Sequence, residues 1–158
     1  MLALTPLLAA AAVAAAPAPP AAGWRAVPME RSPLGHPIVR GRLNGRPVAI
    51  LVDSGASDTI VDRRWATAQG LQLRPIPGRG FGVGAGTQGL AQVEGAALDI
   101  GGPLPGATVI ALDIGAVGAS ATRGGFSAPN LILGADVLRR FGAVIDFRSN
   151  QLWLRTGR

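Results

Sequence analysis

The chemistry this chain can do is concentrated in Asp53-Ser54-Gly55-Ala56-Ser57, placed directly after the apolar run Val48-Ala49-Ile50-Leu51-Val52. A carboxylate at the end of a buried strand costs free energy unless it is paired or hydrogen-bonded. Ser54 and Ser57 offer hydroxyls, and Gly55 permits a tight turn with backbone donors pointing back at the acid. Two readings of these residues stand side by side. In one, Asp53 is an acid–base group presented at a strand end. In the other, it closes its own loop as an Asx turn and does no chemistry.

Composition removes many rivals. The 158 residues hold no Cys and a single His. Thiol nucleophiles, thiolate metal sites and disulfide frameworks are therefore excluded, as is a multi-histidine zinc cluster. The acids, seven Asp and two Glu, are the main groups left for proton transfer. Asp58 and Asp62 are four apart and could offer a metal a shared face, but a helix start with Asp62 as its cap is the expected role, so no metal and no cofactor are assigned. The net charge of +6 is carried by Arg alone. Its longest runs are the pairs Arg63-Arg64 and Arg139-Arg140, and aromatics are 4% of the chain. Nucleic-acid binding calls for clustered cations interleaved with aromatics, so it is not expected here. His36 is expected at the surface and Trp65 in the core; Trp153 fits either the core or a subunit contact.

The elements that must position Asp53 are mostly strands. Pro37–Leu43 and Arg46–Val52 flank Asn44-Gly45, a two-residue hairpin signal. The second arm is continuously apolar and should be buried on both faces. Asp62–Gln69 reads as a short helix with Asp62 at its N-cap and Gly70 just beyond its end. Val93–Ile100, Ala107–Leu112 and Leu131–Leu133 read as strands, and residues 114–130 as a loop. Ala135–Phe141 reads as a second short helix that Asp136 caps. A last hairpin joins Ala143–Phe147 to Gln151–Leu154. With 23 Gly and 13 Pro the chain suits a turn-rich, mainly β domain.

Residues 1–22 carry no charged side chain, and Leu7–Ala16 is an unbroken apolar run. A signal peptide is expected, which would place the protein in the periplasm or outside the cell. The alternatives are an uncleaved membrane anchor over 1–22 or a start at Met29. Residues 23–35 read as a lead-in and 36–158 as the domain.

The sequence Ile50-Leu51-Val52-Asp53-Ser54-Gly55-Ala56-Ser57 resembles the active-site loop of retropepsin-like aspartic proteases, in particular their bacterial single-domain members. The hairpin Asn44-Gly45-Arg46-Pro47 is similar as well. So is Leu131-Ile132-Leu133-Gly134-Ala135-Asp136-Val137-Leu138, about 80 residues downstream, which looks like the family's apolar-apolar-Gly strand and following helix. Ile145-Asp146-Phe147 with Leu152-Trp153-Leu154 completes a likeness over roughly residues 36–155.

The resemblance implies a single-lobe, acid-protease-like closed β barrel with one or two short helices, hydrolysing peptide bonds without a cofactor. It implies Asp53 as acid/base, with Ser54, Gly55, Ala56, Ser57 and Gly134 supporting the loop. Such hydrolysis needs two carboxyls sharing one proton. The chain has one Asp-Ser-Gly, with no second copy around Asp99, Asp113, Asp136 or Asp146. A homodimer acting on a peptide or protein is therefore implied.

Gly84-Ala85-Gly86-Thr87-Gln88-Gly89 matches GxGxxG, but a nucleotide fingerprint requires a helix next, and Leu90–Ala97 lacks helical periodicity. The resemblance implies instead a flap formed by Phe81, Gly82, Val83, Gly84, Ala85, Gly86 and Thr87, with arms at Phe81–Val83 and Ala91–Glu94; a plain surface hairpin is the other reading. The rival to proteolysis is a catalytically silent dimeric module that binds peptide or serves a structural role on the same fold.

Overall fold

The computed structural model describes residues 22–82, 86–115 and 128–155. The expected leader, except for Ala22, therefore lies outside the described residues, as do Val83, Gly84 and Ala85 and most of the 114–130 loop. Among the described residues no helix is long and apolar enough to cross a membrane.

Among the described residues there are twelve strands, arranged in two sheets, and two short helices. The strands are β1 (Trp24–Pro28), β2 (Glu30–Arg31), β3 (Pro37–Leu43), β4 (Arg46–Val52), β5 (Ile60–Asp62), β6 (Leu73–Gly82), β7 (Gly86–Val93), β8 (Leu98–Asp99), β9 (Ile110–Leu112), β10 (Leu131–Leu133), β11 (Val144–Asp146) and β12 (Gln151–Arg155). The helices are α1 (Arg63–Ala68) and α2 (Ala135–Arg140). The larger sheet runs β2-β3-β4-β10-β5-β9-β7-β6, with β8 paired to β3, and the smaller runs β1-β12-β11. The fold is mainly β, a single lobe with short helices, as expected.

The β3–β4 hairpin turns through Asn44 and Gly45, at φ of 49° and 78°. Both values are positive, as the hairpin turn that matches strand twist requires. β4 then lies between β3, antiparallel to it, and β10, parallel to it. Its side chains divide between two apolar clusters: Val48, Ile50 and Val52 enter the large core, and Leu51 enters a smaller one with Ile38, Leu112, Ile114 and Ile132. This two-sided burial is why the run is apolar without alternation.

The helices match in place and length. Asp62 accepts the Trp65 N–H at 2.8 Å as N-cap of α1, and Gly70 follows at φ +70°. Trp65 packs half-buried against the core, Trp153 is buried, and His36 is exposed. The segment read as a lead-in is instead part of the lobe. β1 pairs with β12 along its whole length, and Val27 and Met29 are buried in the core. Prolines at 28 and 33 hid that strand from the pattern. The long strand expected over Val93–Ile100 breaks at Gly95, φ +56°, leaving β8 only two residues.

Candidate active site

β4 delivers Asp53 to the rim of the sheet, and neighbouring backbone fixes it there. The Asp53 N–H donates to Leu133 O on β10 at 3.1 Å, continuing the parallel ladder by one residue. Its carboxylate Oδ1 accepts the Gly55 N–H at 2.9 Å, and its carbonyl accepts the Ala56 N–H at 3.3 Å. Asp53 thus does close its own loop. The two readings of the sequence are compatible, because the Asx turn uses one carboxylate oxygen and Asp53 remains partly exposed. A side chain held this way points to solvent without searching rotamers, which is what a proton-transfer group needs.

The loop is then locked from below by α2. Ala135 N–H donates to Ala56 O at 2.8 Å and Asp136 N–H to Ser57 O at 3.2 Å. The unsatisfied amides of a helix start and the unsatisfied carbonyls of a loop complete one another. This arrangement overturns the expectation that Asp136 caps α2. The N-cap is Gly134, with no side-chain cap, since the first-turn amides are already taken. Gly134 itself has no room for a side chain: a Cβ there would lie 2.3 Å from Asp58 O. The backbone of Gly134 therefore passes directly against that of Asp58 and Thr59.

Asp136 has a different task. The hydroxyl of Thr59, fully buried, accepts the Gly134 N–H at 3.1 Å and donates to Asp136 Oδ1 at 2.7 Å. One hydroxyl therefore ties β10, α2 and the return of the Asp53 loop together. Sequence reasoning missed Thr59, which sits next to Ile60-Val61 and looks like an ordinary strand residue.

The other expected loop residues are placed as follows. Ser54 and Ser57 are exposed, and Ala56 packs on the smaller apolar cluster. Ser57 reaches α2 through its carbonyl, while the donor at Asp53 Oδ1 is the Gly55 amide. Ser54 lines an open hollow of about 260 Å³ whose other walls come from α2 and the residues after it.

Phe81, Gly82, Gly86 and Thr87 belong to a long hairpin. Its arms are β6 and β7, paired from Leu73↔Val93 to Gly82↔Gly86 with Phe81 opposite Thr87. They are longer than the expected arms, because Pro75, Pro77 and the glycines of β6 read as a loop although an outer strand tolerates them. The residues after Gly86 form a strand, so the GxGxxG match lacks the helix a nucleotide site requires. At the root, Arg63 Nη2 donates to Gly89 O on β7 and Ala111 O on β9, and Arg64 pairs with Asp113 at 2.9 Å. Among the described residues no group of three or more His, Cys, Asp or Glu is placed to hold a metal ion.

The family model for gag-polyprotein putative aspartyl proteases matches residues 39–140. The chain belongs to this aspartic protease family. The match runs from within β3 to the last residue of α2, so it contains Asp53, Thr59, the β6–β7 hairpin and Gly134. Among solved structures, a retropepsin-like aspartic protease from Rickettsia conorii aligns at 20% identity over 84% of this chain and 89% of that one, with a TM-score of 0.52. The likeness confirms a retropepsin-like fold. The retroviral protease-like domain of Ddi1 from Leishmania major aligns at 25% identity over 75% and 85% of the two chains, with a TM-score of 0.49. No curated protein matches.

Proposed function

We propose that this protein is an aspartic endopeptidase whose active site is completed by a second copy of the same chain. The observation that carries the reading is the geometry of Asp53: a partly exposed carboxylate at the end of a buried strand, held by Gly55 and by the α2-bound loop. Family membership supplies the reaction class. One carboxylate is half of what the chemistry needs. Two Asp53 side chains meeting on a two-fold axis would share a single proton, since both cannot ionise in contact.

The ionised carboxylate then takes a proton from water as the water oxygen attacks the scissile carbonyl carbon. The protonated carboxyl gives its proton to the carbonyl oxygen, forming a neutral tetrahedral diol. Transfer of a proton to the amide nitrogen lets the C–N bond break, giving an acid and an amine and restoring one shared proton. The β6–β7 hairpin supplies a cover that excludes water and presents strand backbone to an extended peptide.

The test is cleavage of a broad peptide library by wild type and Asp53→Asn across acid to neutral pH, with a statine-type transition-state mimic as inhibitor. We expect the substitution to remove roughly a thousandfold or more of kcat, as loss of an essential proton-transfer group does. Equal activity in the two proteins would rule out Asp53 as the catalyst. Peptide binding with no cleavage by wild type would favour the silent binding module.

A further inference from the structure

The β6–β7 hairpin parts from the rest of its sheet half-way along its length. β7 pairs with β9 at Ala91↔Ala111 and Gln92↔Ile110, and from Leu90 to Gly86 its partner among the described residues is β6. The pairs Arg79↔Gly89, Gly80↔Gln88, Phe81↔Thr87 and Gly82↔Gly86 therefore make a two-stranded arm beyond a fork between β7 and β9. A two-stranded ribbon is marginal by itself, so its direction depends on what holds it at the root.

Two contacts hold the fork. The first is apolar. A Cβ on Gly80 would lie 2.8 Å from Leu90 Cδ2 and 2.9 Å from Leu112 Cδ1, so the β6 backbone rests directly on those leucines. Leu112 belongs to the smaller apolar cluster, on which Leu90 and Ala56 of the Asp53 loop also pack. The second contact is polar. Arg63, the first residue of α1, reaches into the fork, where its Nη2 donates to Gly89 O on β7 and, at 3.0 Å, to Ala111 O on β9. One nitrogen thus bridges two strands where their own pairing ends.

The surroundings of Arg63 give its head no other reason to sit there. Asp113, the acid nearest in this region, pairs with Arg64. The Nε of Arg63 is buried without a hydrogen-bond partner, which costs free energy. The two carbonyls are what offset that cost. The base of the bridge is also tied to the site. Asp62 caps α1 through Oδ1, accepts the Ile114 N–H through Oδ2 at 3.2 Å, and ends β5. β5 begins one residue after Thr59, so the strand that carries Arg63 at one end is anchored beneath the Asp53 loop at the other.

We propose that Arg63 is a positioning residue for peptide binding: by bridging Gly89 and Ala111 across the fork, it fixes the direction of the β6–β7 arm relative to the Asp53 loop, and with it the grip on an extended peptide. The inference rests on the function proposed above and names a residue outside the Asp-Ser-Gly loop on which substrate affinity depends. Its signature differs from that of the acid pair, since it acts on KM and leaves the proton transfers alone.

Arg63→Met tests this, because it keeps an unbranched stem that suits a helix and removes both donors. In the full-length chain with a peptide substrate, we expect KM to rise by roughly fivefold to thirtyfold, the effect of losing hydrogen bonds from a charged group, with kcat within about twofold of wild type and its pH profile unchanged. Amide hydrogen exchange should quicken over residues 79–89 and stay as in wild type over β3 and β4. Arg63→Lys keeps a cation with donors and should lie between Arg63→Met and wild type in both measurements. If Arg63→Met does not fold, Arg63→Gln serves the same comparison. Wild-type KM and exchange in Arg63→Met, a loss confined to kcat, or an Arg63→Lys no closer to wild type than Arg63→Met would each overturn the assignment. If exchange responds as expected but wild type cleaves no peptide, the bridge stands and the protease reading fails.

Discussion

Thr59 carries more of the site than its type suggests. Its hydroxyl is buried and uses both of its capacities, accepting from Gly134 and donating to Asp136. Removing it leaves a backbone N–H and a carboxylate oxygen without their partner, and each such loss costs about 1–3 kcal/mol. Thr59→Val keeps the shape and removes the bonds. We expect it to lower the thermal midpoint and to reduce kcat more than it raises KM, since the loop that loosens holds Asp53 and not the substrate. Thr59→Ser should restore both; a Val variant with wild-type melting and kcat would show that the hydroxyl is dispensable. Residue type alone singled out Asp53 as a carboxylate after five apolar residues and left a turn role and an acid–base role both open. It did not reveal Thr59, because threonine before Ile60-Val61 is what any strand would carry.

Local chemistry made some elements legible and hid others. The Asn44-Gly45 turn, the Asp62 cap and the unbroken apolar arm of β4 each follow from a rule that acts within a few residues. β1 and the lower half of β6 follow no such rule. Both carry proline, and only pairing with β12 and β7, distant in sequence, makes them strands. The role of Asp136 was misread for the same reason, since the carbonyls that satisfy α2 come from residues about 80 positions earlier. The β11–β12 turn yields a prediction at this scale. The Ser149 hydroxyl, and then the amides of Ser149 and Arg148, hold the Asp146 carboxyl below its usual range. Arg40 does the same for Glu30 through paired hydrogen bonds. A carboxyl whose folded value is depressed stabilises the protein above its unfolded value, near about pH 4, and loses that contribution as pH falls through the folded value. Stability should therefore decline on acidification below about pH 4. Asp146→Asn should flatten that decline in melts taken across the acid range; an unchanged acid slope would mean that the turn contributes nothing.

The chain as a whole carries one Asp-Ser-Gly, which is half of what the proposed chemistry needs. This has a kinetic consequence that no single-chain enzyme shares. If only the dimer cleaves peptide, the active fraction depends on total protein, and specific activity is not constant. Far below the dissociation constant, dimer grows as the square of monomer concentration, so rate per chain should rise in proportion to concentration. Far above it, rate per chain should reach a plateau. Dilution at saturating peptide should trace this curve, and the midpoint should agree with the dissociation constant from sedimentation. Substrate bridging the two lobes binds the dimer alone and should shift the midpoint to lower protein concentration by mass action. Mixing wild type with excess Asp53→Asn should depress activity further than dilution does, because most wild-type chains would then sit in dimers with one functional carboxylate. A specific activity independent of concentration, and unaffected by the inactive variant, would place the whole reaction in one chain and require a second acid from outside the single Asp-Ser-Gly.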